Sequence, residues 1–329
     1  MLDFICFCCI IDLKIGWLNM FNKQFLDKLR EKYNYSDKII NALAKIIPNM
    51  TEYYGAEHEI TIFDAILNCE IIPCTSKQTI SKVLKERKLT NLVGDSFLGD
   101  IDKKRAESVY CPNVEIIYNE EKNIFEINKI DRVIVTSHTF NYDSPKGLEV
   151  LTHALCHLVK SYKNEFTIDE NVLTIKSGIS YEKRKIKKED EIYLEFIEDY
   201  GKGLEEGFNI FDTENIVSMV LGDTYKCYDF DAVYTIAKIL KEKFKLLDEI
   251  NYYEMTGAFK EFKKLCKNDT LDKLVEMCDN CINLENEMFL SFTREDKDKL
   301  ANLLRRKLDE EGYGYLIEIY KNKKENIKA

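Results

Sequence analysis

The spacing of apolar and polar positions predicts helices towards both ends of the chain. Between residues 20 and 50 apolar side chains recur every three or four positions, as in two short amphipathic helices, and Ser36 suits the N-cap of the second. A further helix is predicted over residues 76–92, and helical spacing resumes beyond residue 228 almost to the end of the chain. Both terminal regions are therefore expected to be helical.

The middle of the chain has the shorter period of β-strands. Three runs rich in Val, Ile, Phe and Tyr lie within residues 114–137, separated by polar segments. This is typical of a β-meander, whose last strand covers about 132–137. A hairpin is predicted over 172–188 and a helix over 189–200. The sequence therefore predicts an α+β fold, with a small β-meander and a mostly helical C-terminal region.

The helix predicted to begin near Pro145 carries His153 and His157, two of the four histidines in 329 residues. Because they are four positions apart, about 40° separates them around the helix axis, so both project from one side. Leu151 and Leu155 belong to a separate apolar stripe that would anchor the helix in a core. A helix offers two imidazoles to a zinc ion at this spacing, although two histidines also occur so by chance on core helices.

Composition narrows the classes of function. The formal net charge of −10 argues against a general nucleic-acid binder, which usually carries an excess of Lys and Arg. Eleven cysteines at irregular spacing, an odd number in a large chain, fit reduced thiols in a cytoplasmic protein better than a disulfide framework. We therefore expect a cytoplasmic protein with no nucleic-acid partner.

The apolar N-terminal stretch does not have the features of a signal peptide or a membrane anchor. No basic region precedes it, and Asp3, Asp12 and Lys14 interrupt it well short of about 18 apolar residues. Translation from Met20 would leave residues 1–19 as a mis-annotated start. No other segment is expected to span a membrane.

A β-meander, then a helix with His-x-x-x-His, then a later helix with acidic residues resembles the gluzincin-type zinc metallopeptidases. Their zinc helix reads HExxH, and their third zinc ligand is a glutamate on a downstream helix. The resemblance covers about residues 113–221. It implies a zincin-like metal-binding domain over 20–225 and a helical C-terminal domain over 226–329, preceded by an uncertain leader or mis-annotated start over 1–19.

The resemblance also implies a set of zinc ligands. His153 and His157 match the two histidines of the family motif, and Glu206, which directly precedes Gly207, matches the third ligand. Glu205 is the alternative third ligand. Glu214 is a candidate for orienting one of the histidines by a hydrogen bond.

The chain departs from the family at Ala154, which stands where the family has its catalytic glutamate. That glutamate acts as general base and then as general acid, and an alanine side chain can do neither. Loss of one such group typically lowers the rate about 10²–10⁴-fold. Metal binding is expected to persist, since the ligands are retained. A natural pseudo-enzyme and an inactivating engineered substitution would both give this pattern.

Other candidate residues have a structural alternative beside the functional one. Cys156 could bind a metal together with His153, but a small buried residue is the simpler interpretation. His138 and Tyr181 are weak candidates for stabilising an oxyanion, as a residue outside the zinc triad does in gluzincin-like enzymes. The C-x-x-C formed by Cys278 and Cys281 lacks the second pair that a zinc ribbon needs, so core thiols are favoured.

Two main functional hypotheses follow. The first is a metallopeptidase-like protein that binds Zn²⁺ and a peptide or protein substrate but hydrolyses little, with the strand at 132–137 pairing with the extended substrate. The second is a non-catalytic pseudo-peptidase that binds a partner protein. A helical protein without a metal is a third, weaker hypothesis.

Overall fold

The computed structural model describes most of the chain and confirms a mixed α+β fold. A few isolated positions and short pieces are also described, but the main described segments are residues 23–90, 106–163, 165–227, 231–257, 262–264 and 269–289. Residues 1–19, predicted to be a leader or a mis-annotated start, lie outside the described residues.

The N-terminal region is helical. Helix α1 covers 23–33, α2 covers Asp37–Tyr54 and α3 covers Glu59–Leu67, with a 3₁₀ turn at Ala56–His58. The two helices predicted between residues 20 and 50 are thus confirmed, although the second continues to Tyr54. Their apolar faces form one hydrophobic core together with the helix that carries the two histidines.

The first sheet has three strands in the order β1-β3-β2, with β1 at Glu70–Pro73, β2 at Ser108–Asn119 and β3 at Ile124–Thr136. Strands β2 and β3 form a long antiparallel hairpin, whereas β1 pairs with β3 in parallel. The prediction of a meander of three short runs is therefore wrong. The polar segment between the second and third runs does not end the strand, because a register shift at Glu115/Ile116 accommodates it.

Strand β3 is the central strand, which changes the prediction for substrate pairing. Its segment Val133–Thr136 is paired with β1 on one side and with β2 on the other. The strand predicted at 132–137 therefore has no open edge for a substrate. Strand β2 lies at the edge of this sheet. Helix α4 covers Ile80–Glu86, so it is shorter than the helix predicted over 76–92.

The second sheet is antiparallel, in the order β4-β5-β6-β7. Its strands are β4 at Phe166–Asp169, β5 at Val172–Ser177, β6 at Ser180–Lys188 and β7 at Ile192–Tyr200. The hairpin predicted over 172–188 is confirmed.

The helix predicted over 189–200 is wrong, because this segment is strand β7. Its apolar residues Ile192, Leu194 and Phe196 alternate with polar ones, which is a strand period. Ion pairs to the neighbouring strand β6 support it, with Lys187 Nζ 2.7 Å from Glu195 Oε2.

Most of the described helical elements follow or flank the sheets. Helix α5, at Pro145–Ser161, carries the histidines, and the 20-residue helix α6, at Lys202–Leu221, carries the two adjacent glutamates. The described C-terminal elements are α7 at Asp231–Lys238, a π-helical turn at Ile239–Lys243, α8 at Leu247–Thr256 and α9 at Thr270–Phe289. Among the described helices, none is both long enough and apolar enough to cross a membrane.

Helix α6 lies between the two main hydrophobic cores. Ile216 packs in the core of the N-terminal helices and α5, while Leu204 and Phe208 pack in the core of the C-terminal helices. Gly207 allows this arrangement, since a Cβ atom at this position would lie 2.4 Å from the carbonyl oxygen of Val233 in α7. The close approach of α7 thus requires a glycine directly after Glu206.

Candidate metal centre

Helix α5 presents its histidines on the side opposite its buried stripe. The helix begins at Pro145, and the Ser144 hydroxyl caps it by accepting a hydrogen bond from the Gly147 amide over 3.0 Å. Leu151 and Leu155 are almost completely buried. The side chains of His153 and His157 keep exposed fractions of 28% and 26%. The helix is thus anchored by leucine while its imidazoles remain accessible.

Glu206, in the first two turns of α6, completes a group of three ligands. The two imidazole Nε2 atoms are 3.1 Å apart. Glu206 Oε1 lies 3.2 Å from His153 Nε2, and Glu206 Oε2 lies 3.3 Å from His157 Nε2. The tertiary structure therefore brings together the three residues that the resemblance implied.

The separations fit a bound metal ion. A tetrahedral zinc ion has Zn–N and Zn–O distances of about 2.0–2.1 Å, which puts neighbouring ligand atoms roughly 3.3 Å apart. The three atoms offered by His153, His157 and Glu206 all lie within 4.8 Å of one another. Two imidazoles and one carboxylate also suit zinc chemically. The group is therefore close enough to hold a metal ion, with ligands of the right type.

The electrostatics of the metal-free group show how strongly the carboxylate interacts with the imidazoles. Burial alone would raise the pKa of Glu206, but the two histidines outweigh it and hold that pKa well below its usual value. Burial also disfavours charge on His153, yet Glu206 outweighs it, so the pKa of His153 is raised. The pKa of His157 is lowered, because burial and the neighbouring His153 together outweigh Glu206. Without a metal, His153 is the imidazole that takes up a proton first.

Glu205, the alternative third ligand, lies on another side of α6. Its side chain is buried, and its Oε2 atom accepts a hydrogen bond from the amide of Ile179 over 2.9 Å. Its Oε1 atom lies 3.7 Å from Lys160 Nζ. The geometry thus selects Glu206 and gives Glu205 a structural role.

Asn209, and not Glu214 as predicted, contacts one of the two histidines. The Glu214 carboxylate accepts hydrogen bonds from the amide of Cys227 and the hydroxyl of Tyr234 instead, so its predicted role is wrong. The amide Nδ2 of Asn209 lies 2.8 Å from Nδ1 and 3.3 Å from Nε2 of His157, against the edge of the ring. Asn209 follows Glu206 by three positions, a spacing that puts both on one helix face and could have indicated it.

The three ligands lie in a cavity of about 700 Å³ that extends along α5. Its lining runs from Lys146 to Ser161 on this helix and includes Ala154. Edge strand β2 lines one part of the cavity, through residues such as Ser108, and strand β5 lines another, through residues such as Ser177. Ala154, where the resemblance implies a glutamate, therefore lines the same cavity as the three candidate ligands.

Two further carboxylates line the cavity, and both are compensated. The Glu149 carboxylate lies 2.7 Å from Lys146 Nζ and accepts a hydrogen bond from the Tyr225 hydroxyl. Glu165 is paired with Arg132 over 2.6 Å. Because each has a partner of its own, neither is an unengaged base beside the ligands.

The remaining candidates lie elsewhere. His138 is exposed beyond the end of β3, and Tyr181 stacks on Tyr200 at 5.5 Å between ring centroids. Neither is among the described residues that line the cavity. Cys156 is completely buried in the core, as its simpler interpretation predicts. The two cysteines of the C-x-x-C motif, Cys278 and Cys281, are likewise buried and form no disulfide.

Comparison of the chain with models of known protein families, with characterised proteins and with solved structures finds no match.

Proposed function

We propose that this protein is a zincin-like, zinc-binding relative of the metallopeptidases that binds peptide but hydrolyses it poorly. One observation carries the proposal, the convergence of His153, His157 and Glu206 at separations that suit a tetrahedral zinc ion. The histidines on α5 and the glutamate on α6 also match the order and residue types of the gluzincin motif. The predicted division into a domain over 20–225 and a helical domain over 226–329 belongs to this proposal.

Ala154 determines which part of peptidase chemistry this chain is proposed to retain. When bound, a zinc ion acts as a Lewis acid that polarises a substrate carbonyl. The chain would supply the ligands, and the cavity would orient the peptide beside them. Ala154 lines this cavity next to His153, but its methyl group cannot accept or donate a proton. The protein is thus proposed to bind both the metal and the peptide but to hydrolyse the peptide slowly.

An extended peptide fits the shape of the cavity. From Lys146 to Ser161 helix α5 rises about 22 Å at 1.5 Å per residue, which matches six or seven extended residues at about 3.3 Å each. Strand β2 lies at the edge of its sheet and lines the cavity, so its backbone can pair with an added strand. The peptide is proposed to pair with β2 rather than with the strand at 132–137.

A cytoplasmic location is part of the same proposal. Seven described cysteines form no disulfide, and all except Cys227 are buried. Burial raises the pKa of the Cys111 and Cys156 thiols to about 12, so both are held in the unreactive thiol form. This supports reduced thiols, as expected in a reducing compartment.

The experiment compares the wild-type chain with Ala154→Glu and Ala154→Gln. Each protein is loaded with zinc, its metal content is measured, and it is incubated with a mixed peptide library read by mass spectrometry. We expect about one zinc per chain in all three, and cleavage at least 10²-fold faster in the glutamate variant alone. The glutamine variant controls for size and polarity, because its amide cannot act as a base. Absence of zinc from the wild-type chain would contradict the proposal.

A non-catalytic peptide-binding module is the second candidate. It is favoured by the buried hydroxyls of Ser108 and Ser177, which line the cavity and have no hydrogen-bond partner among the described residues. Because buried polar groups are almost always hydrogen-bonded, two such hydroxyls in residues that line the cavity favour a bound ligand that supplies the partners. This candidate predicts that Ala154→Glu stays inactive with zinc bound, while a partner co-purifies with the wild-type chain and is lost from Ser108→Val.

A further inference from the structure

Four buried charges form a closed ring beside the metal centre. Lys160 Nζ lies 2.7 Å from Asp212 Oδ2 and 2.5 Å from Glu254 Oε1. Lys241 Nζ lies 2.6 Å from Asp212 Oδ1 and 2.7 Å from Glu254 Oε2. All four side chains have a solvent-exposed fraction of 0%, and none of them lines the cavity. These four residues are called the charge quartet below.

The charge quartet joins the two ligand helices to each other and to the C-terminal helices. Lys160 follows His157 by three positions on α5, and Asp212 lies on α6, so their ion pair fixes one ligand helix against the other. Lys241 belongs to the π-helical turn and Glu254 to α8. A single π-helical turn often marks a functional position in a helix. Here it carries a lysine of the ring.

Hydrogen bonds from further elements complete the network. The hydroxyls of Tyr53 and Tyr54, at the end of α2, donate to Asp212 over 2.6 and 3.0 Å. Lys241 also donates to the side-chain carbonyl of Asn251 over 3.0 Å. Each charge is thus compensated only when α2, α5, α6, the π-helical turn and α8 are docked together. A displacement of α5 along α6 would leave charges buried without partners, at a large cost.

We infer that the charge quartet is a positioning device that sets the register of α5 on α6 and so holds the metal ligands at binding distance. The inference rests on the proposed function, in that the ligands it positions are those of the proposed zinc site. The C-terminal helices would then help to position the ligands of the proposed zinc site, although no described residue beyond Cys227 lines the cavity.

A ring of buried ion pairs can fix the relative position of two helices without adding to the stability of the fold. A buried ionic group can often be replaced by apolar residues without loss of stability, so the ion pairs are not needed simply to hold the fold together. A metal site, however, needs its ligands within about 0.5 Å of their working positions. Apolar contacts between helices tolerate small displacements, whereas a closed ring of short ion pairs does not. The charge quartet supplies the stricter constraint.

The test removes one charge of each sign from the C-terminal elements. The double variant Lys241→Met/Glu254→Gln keeps the Lys160–Asp212 pair and changes no residue of α5 or α6. Zinc affinity is measured by competition with a chromophoric chelator, on the folded full-length chain. We expect the dissociation constant for zinc to rise at least tenfold. The control is Leu274→Ala in the core of α9, which lowers stability without touching the ring and is expected to change the constant less than twofold.

Two results separate this inference from the proposed function. A folded double variant that binds zinc as tightly as the wild-type chain would overturn the inference alone. If the wild-type chain binds no zinc, the proposed function fails, and a crystal structure of the metal-free double variant still decides the inference. In that structure the 3.3 Å contact between His157 Nε2 and Glu206 Oε2 is expected to be lost. Its retention would overturn the inference.

Discussion

His157 and Glu206 face each other across 3.3 Å, although they lie on two helices separated in the chain by a complete four-stranded sheet. His157 alone is one of two histidines on a helix, and Glu206 alone is one of 58 acidic residues in the chain. Their contact, together with His153, produces a group that is close enough to hold a metal ion. The predictions below concern this contact and the packing that supports it.

Zinc is expected to stabilise the wild-type chain against thermal unfolding. A ligand that binds only the folded state at 100 times its dissociation constant stabilises it by about 2.7 kcal/mol. The double variant His153→Ala/His157→Ala should lose this stabilisation completely. Differential scanning calorimetry with zinc and with excess chelator measures it. Equal stabilisation of the wild-type chain and the double variant would show that zinc binds elsewhere.

The metal-free His153–Glu206 pair is expected to stabilise the fold most between about pH 4.5 and 6.5. The pKa of His153 is raised from 6.5, so its contribution is complete below that value and is lost as the pH rises through the folded-state pKa. The pKa of Glu206 is lowered from 4.5, so its contribution is present above that value and is lost on acidification through the folded-state pKa.

Urea unfolding of the wild-type chain and Glu206→Gln across this pH range measures the effect of the pair. The difference in free energy of unfolding should pass through a maximum, and a difference independent of pH would contradict the assignment. Zinc affinity should instead increase as the pH rises, because the imidazoles must be neutral to bind the metal.

Removal of a single charge from the quartet is expected to destabilise the fold strongly. Lys160→Met leaves Asp212 and Glu254 with one lysine between them, and loss of one partner from a buried ionic group costs about 3–5 kcal/mol. Chemical denaturation of the metal-free protein gives the value. The exposed pair Lys183–Glu198 offers the control, since Lys183→Met should cost less than about 1 kcal/mol. A comparable loss in both variants would argue against a special role for the ring.

Gly207→Ala is expected to disturb the packing of α7 against α6. The added Cβ would lie 2.4 Å from the Val233 carbonyl oxygen, so the backbones must separate, at a cost of about 1–3 kcal/mol. Gly314 is the matched control, because a Cβ at this position meets no atom of the described residues within 4 Å. Urea denaturation should therefore find Gly314→Ala close to the wild-type chain. Two variants of equal stability would contradict the close approach.

Asn209→Ala is expected to weaken zinc binding by roughly tenfold, since groups that orient a ligating histidine typically contribute 10–100-fold in affinity. Asn209 Oδ1 has no partner among the described residues, and turning the side-chain amide by 180° lets this oxygen accept a hydrogen bond from the Nδ1–H of a zinc-bound His157, which keeps the imidazole from rotating. Asn215→Ala is the control, on the same helix but bonded only to the Phe211 carbonyl among the described residues. Chelator competition that ranks the two variants equally would remove Asn209 from the site.

The sequence by itself determined the local features of the site. The 3.6-residue period placed both histidines on one face of α5 and the leucines on another, because these relations depend only on residues in the same helix. The hairpin formed by β5 and β6 could be predicted for the same reason. The resemblance drew attention to Ala154, and this residue lines the cavity.

The tertiary structure decided how the elements meet. Glu205 and Glu206 are equivalent by spacing, and only the packing of α6 directs one to Lys160 and the other to the histidines. Strand β1, which is distant in the chain, occupies the position next to β3 that a third meander run was predicted to take. The alternation in β7 is present in the sequence, but only its pairing with β6 makes the strand evident. Local periodicity determines which residues share a face of one element. Which faces come into contact depends on burying every apolar face and compensating every buried charge at once.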